Sequence, residues 1–298
     1  MQMLSLNLNS FVGIILHLSR VDSCFDSFVD GGAGLGETAE QIIRSCIRPK
    51  KKLLAFEPNP ANTAAFINRY SDKISLIPEA LGACAGISSF QITSTTIEDS
   101  SNPFRVPGTS YVGKLAVDSS DNNITTIMVP VVRLIDKLKE FNFSKIDFLK
   151  LDLQGGELDA LIGLDNMLSD TKIIWLEFTG QPELLKFIYD AGFVAFDTDY
   201  LFVGDPNDLI KDLFRITSQG VNTIGKKIFF GQRRHLWDDY EKVFDFMKRR
   251  RRLIQTDLVL VNNSYLEMFN DIAERYASKL DNKIPDLLKK VVGHDRLF

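Results

Sequence analysis

Asp30, Glu57 and Asp152 each lie at or just inside the carboxyl end of an apolar run, and each is followed by residues that turn the chain sharply. Asp30 closes Phe25-Asp26-Ser27-Phe28-Val29-Asp30 and precedes Gly31-Gly32-Ala33-Gly34-Leu35-Gly36. Glu57 closes Leu53-Leu54-Ala55-Phe56 and precedes Pro58-Asn59-Pro60. Asp152 lies in Ile146–Leu153, ahead of Gln154-Gly155-Gly156 and Glu157. In a doubly wound sheet, ligands bind outside the carboxyl ends of the strands, so these carboxylates share one edge. Glycines there let the backbone pass close to a ligand, because no Cβ intervenes. A carboxylate ending the second strand can accept hydrogen bonds from both hydroxyls of a ribose. A dinucleotide would ask for the same parts, but the Gly-x-Gly-x-x-Gly spacing fails. Counting from Gly31, the third position is Ala33; counting from Gly32, the last is Glu37. An acid directly before the glycines also sits badly beside a pyrophosphate and suits a ligand carrying an ammonium and a sulfonium.

The elements that must position these groups alternate between strand and helix, which predicts mostly parallel pairing. Strands are predicted over 25–30, 53–56, 74–77 (ending near Glu79-Ala80-Leu81), 88–93, 129–134, 146–153, 172–178, 192–196 and 257–261. Helices are predicted over 37–43, 61–70, 135–141, 157–168 and 182–191. Residues 1–24 read as an N-terminal helical extension and 25–265 as the main domain. Within it, the polar stretch 95–125 reads as a substrate-side loop and 206–252 as a charged helical insertion before the last strand. Residues 266–298 read as C-terminal amphipathic helices that could pack against a second copy, making a homo-oligomer possible.

Taken together, the motifs resemble the FkbM-type methyltransferases, a branch of the class I enzymes that use S-adenosylmethionine. The resemblance rests on Val29–Thr38, on Ala55–Pro60, on Pro130–Leu134, on Asp147–Glu157 and on a closing strand at Gln255–Val261. It implies an α/β fold: a doubly wound, mostly parallel seven-stranded Rossmann-like sheet, its last strand antiparallel, with helices on both faces. It implies S-adenosylmethionine as cofactor, held by Asp30, Gly32, Ala33, Gly34, Gly36, Thr38, Glu57, Pro58, Asn59, Ala80, Leu81 and Asp152. Two departures stand out. The family usually has Val at position 31 and Asn at 34, where this chain has glycines, and often Glu at 154, where it has Gln.

What the resemblance implies is methyl transfer, often to a hydroxyl of a sugar or related metabolite. The sulfonium already activates the methyl group, so the enzyme aligns the acceptor and excludes water. An alcohol must also lose a proton, which calls for a base. The candidate catalytic residues are Asp152, at the end of the fourth strand of the fold; Glu157, opening the next helix; and Lys150, on the same side of the strand as Asp152. Each has a plainer role: Asp152 as a helix cap, Glu157 as a dipole partner, Lys150 as an ion-pair partner. Asp152 with Glu177 could offer oxygen ligands to a divalent cation, yet no metal is expected. The rival readings are a nicotinamide-dependent oxidoreductase and a non-catalytic S-adenosylmethionine-binding module.

The 298 residues carry a formal net charge of −4, which gives no general drive toward nucleic acid. The basic run Lys248–Arg252 lacks interleaved aromatics, so it too is read as a solvated face. No stretch approaches the ~20 apolar residues of a membrane span. The short apolar run Phe11–Leu18 lacks the flanks of a secretory signal. Cys24, Cys46 and Cys84 are odd in number and scattered, which predicts buried free thiols and a cytoplasmic protein. The 22 phenylalanines predict a Phe-rich core.

Overall fold

The computed structural model describes residues 22, 24–45, 52–70, 74–93, 113–115, 124–178, 180–197 and 256–269. The insertion 206–252, the basic run, the first 21 residues and everything after 269 lie outside the described residues. The described residues fall into two compact units, one within 23–177 and one from 178 onward.

The first unit is built on β1 (Ser27–Gly31), β2 (Lys52–Phe56), β3 (Ser75–Ile77), β8 (Ile146–Leu151) and the greater part of β9 (Thr171–Phe178). They are parallel, in the order β9-β8-β1-β2-β3. Every residue of β1 and β8 is buried, which is why both read as unbroken apolar runs rather than alternating ones. Helix α1 (Glu37–Ser45) joins β1 to β2, and α2 (Pro60–Tyr70) leads from β2 to β3. The chain moves outward from β1 to β3, then returns to β8 on the other side of β1. Right-handed crossovers in opposite directions put helices on opposite faces and make β1/β8 the switch point. Phe25, Phe28, Phe56, Phe66 and Phe148 are among the largest fully buried side chains, so the core is Phe-rich as expected.

A second sheet follows the order β4-β7-β5-β6, from β4 (Ala80–Leu81), β5 (Gly86–Thr93), β6 (Gly113–Leu115) and β7 (Ile124–Val132). β5 pairs antiparallel with both β6 and β7. This departs from the expected single, mostly parallel sheet with antiparallel pairing only at its last strand. No helix separates β5 from β7 among the described residues, and antiparallel neighbours need none. One face of this sheet closes over a small core of Ala80, Phe90, Val129 and Val131. β6 falls inside the stretch expected to be a substrate-side loop, most of which is outside the described residues.

Helix α3 (Leu134–Glu140) precedes β8, and α4 (Glu157–Ile162) follows it. The helix expected over 157–168 is α-helical only to Ile162; a 3₁₀ turn then covers Asp165–Leu168, opened by Asp165 at φ 54° with Arg133 2.8 Å away. The second unit holds α5 (Pro182–Asp190) and the pair β10 (Phe193–Asp197) and β11 (Thr256–Asn262). β11 runs antiparallel to β10, as expected of the last strand. Cys24 and Cys84 are exposed, not buried as expected.

Candidate active site

The turn after β1 is tied down on both sides. Gly32 N and Ala33 N both donate to the Phe56 carbonyl, at 3.0 and 2.9 Å. On the other side, Asp152 N donates to the Gly31 carbonyl at 3.1 Å. Gly32 passes so near β8 that a Cβ there would lie 2.0 Å from the Asp152 carbonyl oxygen. Gly34 takes φ 54° with open space around its absent side chain. That is the region where Asn is the best-tolerated alternative to Gly, so the Asn common in the family fits the same backbone.

Glu57 ties this turn to the next. Its Oε2 accepts from Gly34 N at 2.8 Å and its Oε1 from Asn59 N at 2.8 Å. The buried Asn62 side chain also donates to this carboxylate, whose remaining lone-pair capacity is open to a further donor. Burial raises the Glu57 carboxyl to about 7, against the opposing effect of those two N–H groups. Asn59 caps α2 through Ala61 N, 3.1 Å away, and so holds Glu57 in place from behind.

Asp30 and Lys150 are register partners on β1 and β8, and both are buried. The Lys150 Nζ lies 3.4 Å from Asp30 Oδ1 and 3.6 Å from Asp152 Oδ2, and donates to the Gly32 carbonyl at 2.7 Å. Burial alone would lower the Lys150 ammonium, but the charges of Asp30 and Asp152 outweigh it and raise it. Both carboxylates thus favour the ammonium form. Burial pushes the Asp30 carboxyl up, with Lys150 pulling the other way. Neither Asp30 oxygen accepts a hydrogen bond.

After Asp152 the chain doubles back. Glu157 is fully buried and accepts from Leu153 N (2.8 Å) and Gly155 N (3.0 Å), so its carboxylate faces the backbone of the turn. Gln154 Nε2 donates to Asp152 Oδ1 at 3.0 Å and to Glu177 Oε2 at 2.8 Å. Asp152 itself keeps 35% of its side chain exposed.

These groups surround a cavity of about 270 Å³. Gly32, Ala33, Gly34, Thr38, Glu57 and Pro58 line it, as do Ala80, Leu81, Lys150 and Asp152, all of them anticipated from sequence. Asp30, Gly36, Asn59 and Glu157 do not line it and act from behind the wall. Glu37, Glu79, Phe90, Gln154 and Trp175 line it without having been anticipated. For Phe90 the reason is that it comes from the second sheet. Glu37 was legible as the acid after the glycines, and Glu79 as the acid that ends β3.

The wall suits a cationic, partly aromatic ligand. Four acids line it (Glu37, Glu57, Glu79 and Asp152), against Lys150 alone. A pyrophosphate would meet that surplus of negative charge, whereas an ammonium and a sulfonium are favoured by it. Leu81 and Phe90 add apolar surface for a flat base. The residues present thus fit S-adenosylmethionine: Glu57 for the ribose hydroxyls, the backbone of the glycine turn beside the remainder.

A curated relative, the methyltransferase SdnD of Sordaria araneosa, is 25% identical over 207 residues, covering 58% of this chain and 78% of its own. The crystal structure of methyltransferase FkbM from Methylobacillus flagellatus is 18% identical, with a TM-score of 0.33 over 51% of this chain. This chain spans only 32% of that protein's length. The plantazolicin methyltransferase BpumL, solved in complex with SAH, is 9% identical over 86% of this chain and 85% of its own, with a TM-score of 0.34. The family model for the methyltransferase FkbM domain matches residues 30–195, more than half of the chain. The chain belongs to the FkbM methyltransferase family.

Proposed function

We propose that this methyltransferase is O-directed and acts on a hydroxyl of a sugar or related small metabolite. The observation that carries the reading is Asp152, a partly exposed carboxylate on the cavity wall at the end of β8. The cofactor supplies a methyl group already activated by its sulfonium. The chain has then to orient the acceptor, exclude water and receive one proton from the hydroxyl. Asp152 is the group placed to receive it. Lys150 stays an ammonium and steadies Asp152 and the Gly32 carbonyl together. Glu157 shapes the turn from beneath rather than handling the proton. Phe90 and Trp175 are the apolar surfaces that keep water from the wall. Two exposed thiols, Cys24 and Cys84, fit a reducing compartment, so a cytoplasmic location goes with this reading.

The test is a transfer screen with methyl-labelled cofactor against sugars, nucleotide sugars, lipids and matched amines. Hydroxyl acceptors should be labelled. Asp152→Asn should lower turnover by ~100-fold, in the usual range for losing a general base. Its affinity for S-adenosylhomocysteine, which carries no sulfonium charge, should fall far less than its turnover. Labelling of amines alone, or an Asp152→Asn protein with full turnover, would rule the reading out.

A further inference from the structure

Gln154 is held in the left-handed region, at φ 55°, where a glutamine is uncommon. The cause lies beneath it. Glu157 grips the backbone N–H groups of Leu153 and Gly155, the residues on either side of Gln154. Glu157 can do this because it opens α4 and is fully buried. The result is a side-chain amide aimed between two carboxylates, donating to Asp152 and to Glu177 at 3.0 and 2.8 Å. A primary amide has two N–H donors, and two acceptors are at hand for them here. Asp152 and Glu177 come from adjacent parallel strands, β8 and β9, whose carboxyl ends lie side by side. Two carboxylates so placed repel one another unless a cation or a donor lies between them. Backbone strain that persists at a cavity wall points to function.

We propose that Gln154 is a positioning residue: its amide links Asp152 to Glu177 in the place a divalent cation would take, and so fixes the Asp152 carboxylate on the cavity wall. The kinetic half of this proposal rests on Asp152 being the proton acceptor. The ion-binding half does not.

Three full-length proteins decide it: wild type, Gln154→Glu and Gln154→Gly. Each is titrated calorimetrically with Mn²⁺. Gln154→Glu exchanges the bridging donor for a third carboxylate, and hard cations gather oxygen ligands, so it should bind one Mn²⁺ at least ~10-fold more tightly than wild type. Gln154→Gly suits the left-handed backbone, and the strain it relieves offsets the repulsion left by the lost amide, so its melting temperature should stay near wild type. It should lose kcat by about 10-fold or more while keeping its affinity for S-adenosylhomocysteine, the pattern of a lost transition-state interaction. Equal Mn²⁺ affinity in wild type and Gln154→Glu overturns the proposal, as does a Gln154→Gly protein with wild-type kcat. If no hydroxyl is methylated by any of the proteins, the O-directed reading falls, and the Mn²⁺ comparison still decides whether the amide takes a cation's place.

Discussion

Two aspartates at opposite ends of the same pair of strands have been built for different ends. Asp147 lies near the amino end of β8 and Asp30 near the carboxyl end of β1, and neither has any exposed surface. Asp147 receives hydrogen bonds from Asp26 N (2.8 Å), Ser27 N (2.9 Å) and Ser27 Oγ (2.7 Å). Lys172 and Lys145 add ion pairs at 2.9 and 3.0 Å. Burial would raise the Asp147 carboxyl, but these partners outweigh it and hold it below its ordinary range. Asp30 has one ammonium at 3.4 Å and no hydrogen bond to either oxygen. Its carboxyl is raised. A buried charge with every lone pair answered holds a fold together. A buried charge left partly unanswered costs stability and remains where it holds something else in place. What Asp30 holds is Lys150, and through it both the glycine turn and Asp152.

The sharpest way to break this contrast is the same substitution at both ends. Asp147→Asn should cost about 3–5 kcal/mol in urea denaturation, because it breaks a buried ion cluster and puts an amide against three donors. Asp30→Asn should cost less than about 1 kcal/mol, since no hydrogen bond is lost and Lys150 keeps Asp152 and the Gly32 carbonyl. Equal losses at the two positions would show that the ends are not differently built.

A smaller effect separates the ends by pH. Asp147 is lowered from its ordinary 3.8, so its contribution is complete above that value and is lost as pH falls below it. Glu57 runs the other way. Raised from 4.5 to about 7, it favours the folded chain below 4.5, and that preference is lost as pH rises through about 7. Hydroxyl donors need the ionised form, so binding of S-adenosylhomocysteine should weaken by roughly 10-fold between pH 8 and pH 6, with proton release on binding. Calorimetry in buffers of different ionisation enthalpy measures both quantities. Glu57→Gln should flatten the pH dependence, and a profile that stays steep would assign it to another group.

The smallest effect expected is at the turn itself. Gly34→Asn restores the residue common in the family at a left-handed position with open space, so cofactor affinity should change less than about 2-fold. A larger change, read from the same titration, would mean that the extra glycine matters to this chain.

The parallel half of the fold was legible because its central strands, β1 and β8, are buried along their whole length and its ligand edge is marked by glycine or proline turns. Asp30-Gly31-Gly32, Glu57-Pro58 and Asp152–Glu157 therefore announced the ligand edge. Which way each side chain turns was not legible. Asp30 was placed on the cavity by its position on the strand, but the cavity is lined by its register partner Lys150, whose Nζ lies 3.4 Å from it. Glu157 was read as a possible base because a helix start favours a carboxylate, yet the nearest donors were the two amides of its own turn. The second sheet escaped because β5 and β7 are 30 residues apart and pair directly. Alternation marks such strands without naming their partners. Phe90, which the cavity takes from that sheet, was missed for the same reason.

The carboxylate of Glu57 is wired to two backbone amides that are 25 positions apart, one in each turn. Any event that changes its charge or its donors must change both hydrogen bonds together. The ¹H–¹⁵N signals of Gly34 and Asn59 are thus a matched pair of native probes. They should titrate with one midpoint in the free protein and shift in concert when a ligand arrives, while the amide of Lys52, committed to the Asp26 carbonyl and outside the cavity wall, serves as the internal reference.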